Sequence, residues 1–242
     1  MDLSQHVWLA ADYHFPSTYS CRVPMSSMNS ASVTPAPGPA TVRLALIRVG
    51  IELFGMEYVR DTLFPVIRAM NVCIRPPEHV ALSYQVVRAY KADEDRTSTY
   101  VSESPVYREM AHAEGVMTVY LEIPRHDLER WSVLLMAIGY WGQASSFASC
   151  TGITQTAPNV YECTTPIQAL ATHAPLQPYF SCVLSEFRDY KVEWHDVIPH
   201  ARSPQNNPFT LDIYVWPLLI AKQHSGGKLL VRSPLVLPTR VE

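Results

Sequence analysis

Apolar positions recur along the chain with two periods, and each change of period marks where an element begins or ends. Val7, Leu9 and Ala11 alternate with Trp8, Ala10 and Asp12, the pattern of a strand over residues 5–15 that Pro16 closes. From Ala40 the spacing turns helical: Val42, Leu46, Val49 and Leu53 fall on one stripe, and Gly55 supplies the break. A second helix is predicted over residues 57–70, kinked near Pro65. The chain is extended again over 80–90, with Val80, Leu82, Tyr84, Val86 and Arg88 on one face. Met117, Val119, Leu121 and Ile123, set against Val116, Thr118, Tyr120 and Glu122, predict a core strand closed by Pro124. Leu128, Trp131, Leu134, Leu135 and Ile138 then return to helical spacing, up to Gly139.

The order is strand, loop, helices, strand, hairpin, strand, helix. This βαββαβ succession is the plan of a ferredoxin-like α+β domain, the fold shared with RNA-recognition domains, and it occupies residues 1–150. Residues 151–242 read as a β-rich extension, either a second lobe or a continuation of the first sheet. Strands are predicted at 179–187, 191–197, 209–216 and 228–231, with a turn at Ser225-Gly226-Gly227. A polar loop rich in Ser, Pro, Thr and Asn fills residues 16–39, and loops of that length are usually functional or disordered.

Composition narrows the function classes. Hydrophobic residues make up 48% and charged residues 17%, an ordered balance that excludes a disordered chain. The apolar stretch at 40–54 is interrupted by Arg43, Arg48 and Glu52, and that at 211–221 by Asp212 and Pro217, so neither is a transmembrane helix. The N-terminus lacks the basic-then-apolar layout of a signal peptide. Five widely spaced cysteines without a Cys-x-x-Cys pair disfavour a zinc ribbon and a redox motif, and read as buried free thiols of a cytoplasmic protein. No metal, no cofactor and no membrane contact is expected. A net charge of −3 weighs against a free-standing nucleic-acid binder, yet allows a subunit that touches a short piece of RNA with a few side chains.

Catalytic signatures such as a nucleophile elbow, a Walker loop or a His-Glu-x-x-His pair are absent. Glu193-Trp194-His195-Asp196 gathers ionisable groups, but in a strand neighbours point to opposite faces, so His195 is not expected to share a site with both. Arg88, Tyr90, Lys91, Arg96, Tyr100, Tyr107, Arg108 and His112 interleave cations with aromatics, the mixture that pairs phosphates and stacks unpaired bases. The plainer alternative is a solvated hairpin neutralised by Asp93, Glu94, Asp95 and Glu109. Residues 139–147 hold two glycines, then Gln143, Ser145 and Ser146. They form either an anion-binding turn or a helix cap leading into a strand, with Trp141 in the core or as a stacking platform. In the long loop, Arg22, Ser26, Ser27, Asn29 and Ser30 suit phosphates and 2′-hydroxyls, although alone the segment would read as a linker. Arg43, on the first helix, completes the set of candidate RNA contacts.

Three stretches carry a family resemblance. Val33-Thr34-Pro35-Ala36-Pro37-Gly38-Pro39 turns into the apolar helix Ala40-Thr41-Val42-Arg43-Leu44-Ala45-Leu46. Ser104-Pro105-Val106-Tyr107-Arg108-Glu109 precedes the strand Val116–Ile123. Ala137-Ile138-Gly139-Tyr140-Trp141-Gly142 precedes Ser145-Ser146-Phe147. In pattern and order these resemble the CRISPR-associated protein 5 family of the RAMP superfamily, over roughly the first 150 residues, a single-domain length. The resemblance implies a ferredoxin-like domain with a protruding hairpin, or thumb, and a variable β-rich C-terminal part. It implies a non-catalytic subunit of a type I interference (Cascade) complex that grasps the 5′ handle of the guide RNA (crRNA). Its neighbours would be a backbone subunit and a large subunit that reads the PAM, with target DNA met indirectly. The thumb would fall at 88–112, and the handle surface would draw on residues 20–40 and 139–147. One branch of the family cleaves its own precursor RNA; here His112 with Lys91 or Arg108 would supply the base and the cation of a metal-independent cut. A ferredoxin-like scaffold without RNA is the third reading.

Overall fold

Strand β1 (His6–His14) carries the alternation of the sequence into the structure, with Leu9, Ala11 and Tyr13 buried on one face. The structure, a computed structural model, describes residues 6–24, 26, 30–92, 101–170, 177–187, 191–198 and 209–236, with the backbone alone at 30–31, 87–92 and 101–106. After β1 come three short strands, β2 (Cys21–Arg22), β3 (Ser30–Ala31) and β4 (Val33–Thr34), then helix α1 (Pro39–Phe54). Helix α2 (Met56–Tyr58) runs through a π turn (Val59–Leu63) into α3 (Phe64–Ala69). Strands β5 (Val72–Arg75), β6 (His79–Ala92), β7 (Val101–Glu114) and β8 (Met117–Pro124) precede α4 (Leu128–Met136). Strands β9 (Ser149–Thr154), β10 (Thr165–Pro166) and β11 (Tyr179–Phe187), helix α5 (Trp194–Val197), and strands β12 (Phe209–His224) and β13 (Gly227–Arg232) follow among the described residues.

The protein is a mixed α/β structure with two principal sheets. The first has the order β5-β8-β1-β9, every neighbour antiparallel. Its register sets Leu9 opposite Leu121, Ala11 opposite Val119 and Tyr13 opposite Met117, so the apolar faces of the two central strands coincide. Val42, Leu46 and Val49 of α1 and Trp131, Leu134 and Leu135 of α4 bury against that face. Tyr13 donates its hydroxyl to the Leu135 carbonyl at 2.7 Å, which satisfies a polar group inside the core.

Local chemistry explains the helix ends. Pro39 opens α1 with a preset φ and no N–H to leave unpaired. Gly55, at φ +85°, reverses the chain and donates its N–H to the Ile51 carbonyl. The expected kink near Pro65 is the π turn: Pro65 lacks a donor for the carbonyl a turn earlier, and the ladder widens just before it.

Two expectations are corrected. Among the described residues of 16–39, those at 19–21 and 33–39 are packed rather than part of a loose loop. Tyr19 is fully buried, stacks on Phe15 with ring centroids 4.0 Å apart and donates its hydroxyl to Pro35, while residues 33–40 are buried throughout. The strand predicted at 191–197 is instead the short helix α5. Glu193 donates its N–H to Asp196 Oδ2 at 2.9 Å and its own carboxylate accepts from the Asp196 N–H, a reciprocal cap that outweighs the extended pattern. Because that turn is helical, His195 sits 3.3 Å from Glu193 and also 3.4 Å from Asp196, the adjacent residue that a strand would turn to the opposite face.

Strands after residue 150 join the second sheet, ordered β10-β12-β13-β6-β7-β3, with β11 on the other edge of β12. β13 pairs with the base of β6, from Gly227 opposite Ser83 to Val231 opposite His79. Gly227 is required there, since a Cβ would lie 2.3 Å from the Leu82 carbonyl oxygen. Residue 150 itself falls inside β9, and Leu184, Tyr214, Trp216 and Leu230 share one core with Leu9 and Leu46. The C-terminal strands therefore extend the sheet of β6 and β7, not the four-stranded sheet.

Candidate nucleic-acid interface

The three segments singled out in the sequence meet along β7. Ser30 and Ala31 pair in parallel with Tyr107 and Arg108, and Tyr19 exchanges both backbone hydrogen bonds with Ala111 at 2.8 Å. Glu109, buried at 4% exposure, accepts the Val33 N–H at 2.9 Å and fixes β4 beside β7. It is thus a structural acceptor and not the surface neutraliser of the plainer reading. The third segment is clipped to the second: Ser20 donates its N–H to Ser146 Oγ at 3.0 Å, and Ser146 Oγ donates to the Ser20 carbonyl at 3.3 Å.

β6 and β7 stay paired from His79–Glu114 to Ala92–Val101, a ribbon about 45 Å long at ~3.3 Å per residue. Val80, Leu82, Ala111 and Ala113 root it in the core, whereas Tyr84, Val86 and Tyr107 are half or more exposed. Alternation splits the expected cation–aromatic mixture between two faces. Tyr107 lies opposite Val86, beside Tyr84 and Glu109; Arg108 lies opposite Gln85 and His112 opposite Ala81, on the other face. His112 is exposed, and Arg108 Nε has no hydrogen-bond partner among the described residues. Arg88, Tyr90 and Lys91 are placed by register alone, opposite Pro105, Glu103 and Ser102. Arg96, Ser27 and Asn29 lie outside the described residues.

Three candidates have internal roles. Arg43 is buried on α1, where it donates to the Ile67 and Met70 carbonyls at 3.1 and 2.8 Å and pairs with Glu186 of β11. It ties α1 to the end of α3 and to the second sheet, so it is not an RNA contact. Trp141 is fully buried, edge-on to Tyr13 at 4.9 Å, which makes it a core residue and not a stacking platform. Ser146 is fully buried as the clip described above. The turn at 139–147 also uses its own amides, with Trp141 N–H donating to Ser146, Ser146 N–H to Gln143, and Ala148 N–H to Gly139. Gln143, Ser145 and Phe147 remain at its surface, and Ser26 closes a local turn onto Val23.

One feature of the surface is marked in the sequence only by a missing helix cap. Gly38, the residue before α1, offers no side-chain cap, so the first-turn N–H groups lack intrahelical acceptors. They border a cavity of about 250 Å³ whose walls include the exposed Arg22 and the half-buried Pro24, Thr41 and Ser185. A guanidinium beside an uncapped helix N-terminus suits an anion. The absence of Ser, Thr, Asp or Asn before Pro39 was the available signal.

The outer face of the four-stranded sheet, where RNA-recognition domains stack bases, is closed here. Tyr120 is buried under Cys163 with Trp8 and Cys73, and Thr164 donates its N–H to the Ile74 carbonyl. Arg75 donates to Thr118 Oγ1 at 2.8 Å, and Thr118 donates to Asp12 at 2.6 Å. Burial pushes the thiols of Cys21 and Cys163 up to about 12 and those of Cys73 and Cys182 up to about 11, so all four are protonated at neutral pH. Alkylation of Cys21 and Cys163 at neutral pH is expected to follow global unfolding, read as labelling that begins at the denaturant midpoint of the circular dichroism. Labelling well below that midpoint would contradict their burial. Among the described residues no three metal-ligating side chains cluster, and no helix is long and apolar enough to cross a membrane.

No family model matches the chain. It is 29% identical over 90 residues to the CRISPR-associated protein Cas5 of Archaeoglobus fulgidus, a match that covers 37% of this chain and 40% of that protein's length. Among solved structures, a chain of a type III-B Cmr-beta complex bound to cognate target RNA aligns with TM-score 0.49 and 10% identity, over 62% of this chain and 61% of that one. A CRISPR protein from Archaeoglobus fulgidus aligns at 0.46 and 11%, over 94% and 92%, and a chain of a CRISPR RNA-guided surveillance complex at 0.38 and 11%, over 97% and 95%. The sequence match points to the same family as the three quoted stretches: over those 90 residues the chain is similar to CRISPR-associated protein Cas5.

Proposed function

We infer that this chain is a non-catalytic subunit of a type I CRISPR (Cascade) complex that works in the cytoplasm and holds the 5′ handle of the guide RNA. The observation that carries the reading is the convergence on β7 of the 19–34 segment and, through Ser20 and Ser146, of the 139–147 turn. In this reading the four-stranded sheet with α1 and α4 is a ferredoxin-like domain and the β6–β7 ribbon is the thumb. Arg22 and the α1 N-terminus receive handle phosphates, and Gln143 and Ser145 border the same path. Tyr84 and Tyr107 offer aromatic faces to bases, while Arg108 and His112 face backbone on the ribbon's other side. Ser27, Asn29, Arg88, Tyr90, Lys91 and Arg96 extend these contacts. A backbone subunit and a large subunit complete the assembly, and base pairing by the guide reads the target DNA.

The test is the RNA recovered from the chain co-expressed with its genomic neighbours. Short RNAs that share one 5′ sequence are expected; a nucleic-acid-free complex would return the chain to the scaffold reading. Arg22→Ala and Arg108→Ala are each expected to weaken guide retention and to lower the log–log salt slope by about 0.7 per lost phosphate contact. Full retention in the double variant would remove both residues from the path. His112→Ala is expected to leave the recovered RNA ends unchanged, whereas loss of a processed end would make the chain the endoribonuclease.

A further inference from the structure

A second cavity, of about 490 Å³, lies between β5, the 160–170 segment, β11 and β12, and shares no lining residue with the Arg22 cavity. Val72, Cys73, Cys163, Pro166, Leu170 and Leu235 give it an apolar wall. Its size falls among sites that hold a whole small molecule, about 300–1,000 Å³, so one aromatic side chain enters easily. Hydrogen bonds hold the wall in place without an occupant. Thr164 donates its N–H to the Ile74 carbonyl at 2.8 Å, and Leu235 to the Tyr161 carbonyl at 2.7 Å. Asn159 caps the Tyr161 N–H at 3.2 Å. A pocket already formed spares the cost of ordering it on binding.

The rim is apolar and open. Val160 and Tyr161, on the wall, are 57% and 50% exposed. Ile167 and Val236, next in sequence to the wall residues Pro166 and Leu235, are each 43% exposed. Four exposed apolar side chains around one cavity reach past what a small molecule would cover, and suit a polypeptide that sets an anchor in the pocket and a rim around it.

Charge decides what kind of chain fits. The ion pairs Arg43–Glu186, Arg75–Glu162 and Arg232–Glu78 cancel around the cavity. Glu122 accepts only the Asn71 side-chain amide at 2.6 Å and Asp212 only that of Gln168 at 3.1 Å, so among the described residues these two carboxylates lack a cation. Their field reaches the wall: after burial, Glu122 pushes the Cys73 thiol up, and Glu186 with Asp212 outweighs Arg43 in raising the Tyr214 hydroxyl. An acidic surround repels a phosphate backbone and attracts a lysine or arginine.

We propose that this cavity is the anchor site for a neighbouring protein, which inserts one aromatic or leucine side chain and sets a lysine or arginine beside it, toward Glu122 or Asp212. That the neighbour is a subunit of a guide-holding complex rests on the function proposed above; the chemistry of the pocket does not. The test co-expresses the full chain with its genomic neighbours, with Ile167 replaced by the photo-crosslinking residue p-benzoylphenylalanine. The adduct is expected on a neighbouring protein, in a segment where an aromatic residue or leucine adjoins lysine or arginine. The protein so identified is then titrated into the wild-type chain, and into Tyr161→Ala and Ala169→Arg, at two salt concentrations.

Both positions are exposed, so thermal unfolding is expected to be unchanged. Each variant is expected to bind about tenfold or more weakly, as at an interface hot spot, and wild-type binding to weaken as salt rises. Adducts confined to RNA, to the chain itself or to a second copy of it overturn the proposal, as does the absence of any adduct. Equal affinity in both variants overturns it as well. RNA recovered from the same samples tests the other reading separately. A neighbour adduct in an RNA-free complex keeps the anchor site and removes the guide-holding function, whereas short guide RNAs without a neighbour adduct do the reverse.

Discussion

Arg43→Ala is expected to lower the unfolding free energy by about 2–4 kcal/mol, read from the denaturant midpoint at constant slope. The substitution leaves the Glu186 carboxylate without its counter-charge and removes the donor from the Ile67 and Met70 carbonyls together. Breaking a fully buried pair costs about 3–5 kcal/mol; the value here is lower because the Glu186 side chain is 22% exposed and water takes up part of the charge. Glu186→Gln keeps a hydrogen-bond acceptor for the guanidinium, so it should cost less than Arg43→Ala. If Arg43→Ala changed stability by under about 0.5 kcal/mol while RNA retention collapsed, the internal role assigned to Arg43 would be wrong.

Trp141 gives the second large effect. Trp141→Ala is expected to cost about 3–5 kcal/mol, the range for deleting a buried indole. Trp141→Phe should cost much less. The indole Nε1 has no hydrogen-bond partner among the described residues, so no polar contact is lost, and a phenyl ring can keep the edge-on contact with Tyr13. RNA binding by Trp141→Phe, measured below its unfolding transition, should match the wild type. A selective loss of RNA affinity would restore the stacking role.

These two residues show where sequence reading reaches its limit. Period alone located β1, α1, β8 and α4, because Leu9, Leu46, Leu121 and Trp131 each repeat on a face that one core covers. Arg43 sits inside that pattern as a charge, and nothing local announces that Glu186, 143 positions later, will neutralise it. Residues 19–21 and 33–39 looked loose because their order comes from Tyr19, Thr34 and Glu109 bonding to backbone groups, which leaves no apolar rhythm. α5 was missed because a reciprocal cap between Glu193 and Asp196 decides it within one turn. The site was legible as three separate groups of residues. Their meeting on β7 depends on strand pairing between distant segments, and the division of Tyr107 from Arg108 and His112 follows from pairing register.

The pairing of β13 with β6 also sets an order of events during synthesis. The four-stranded sheet has all its strands once Thr154 has emerged, but the edge of β6 that β13 will cover waits for Gly227, more than seventy residues later. At ~5–20 residues per second that interval lasts roughly 4–15 s. Throughout it, the base of the ribbon presents an open row of backbone donors and acceptors to any other extended chain. β13 is thus the guard of a much earlier strand, and the nascent chain is most exposed to mispairing in the seconds before the β12–β13 hairpin arrives.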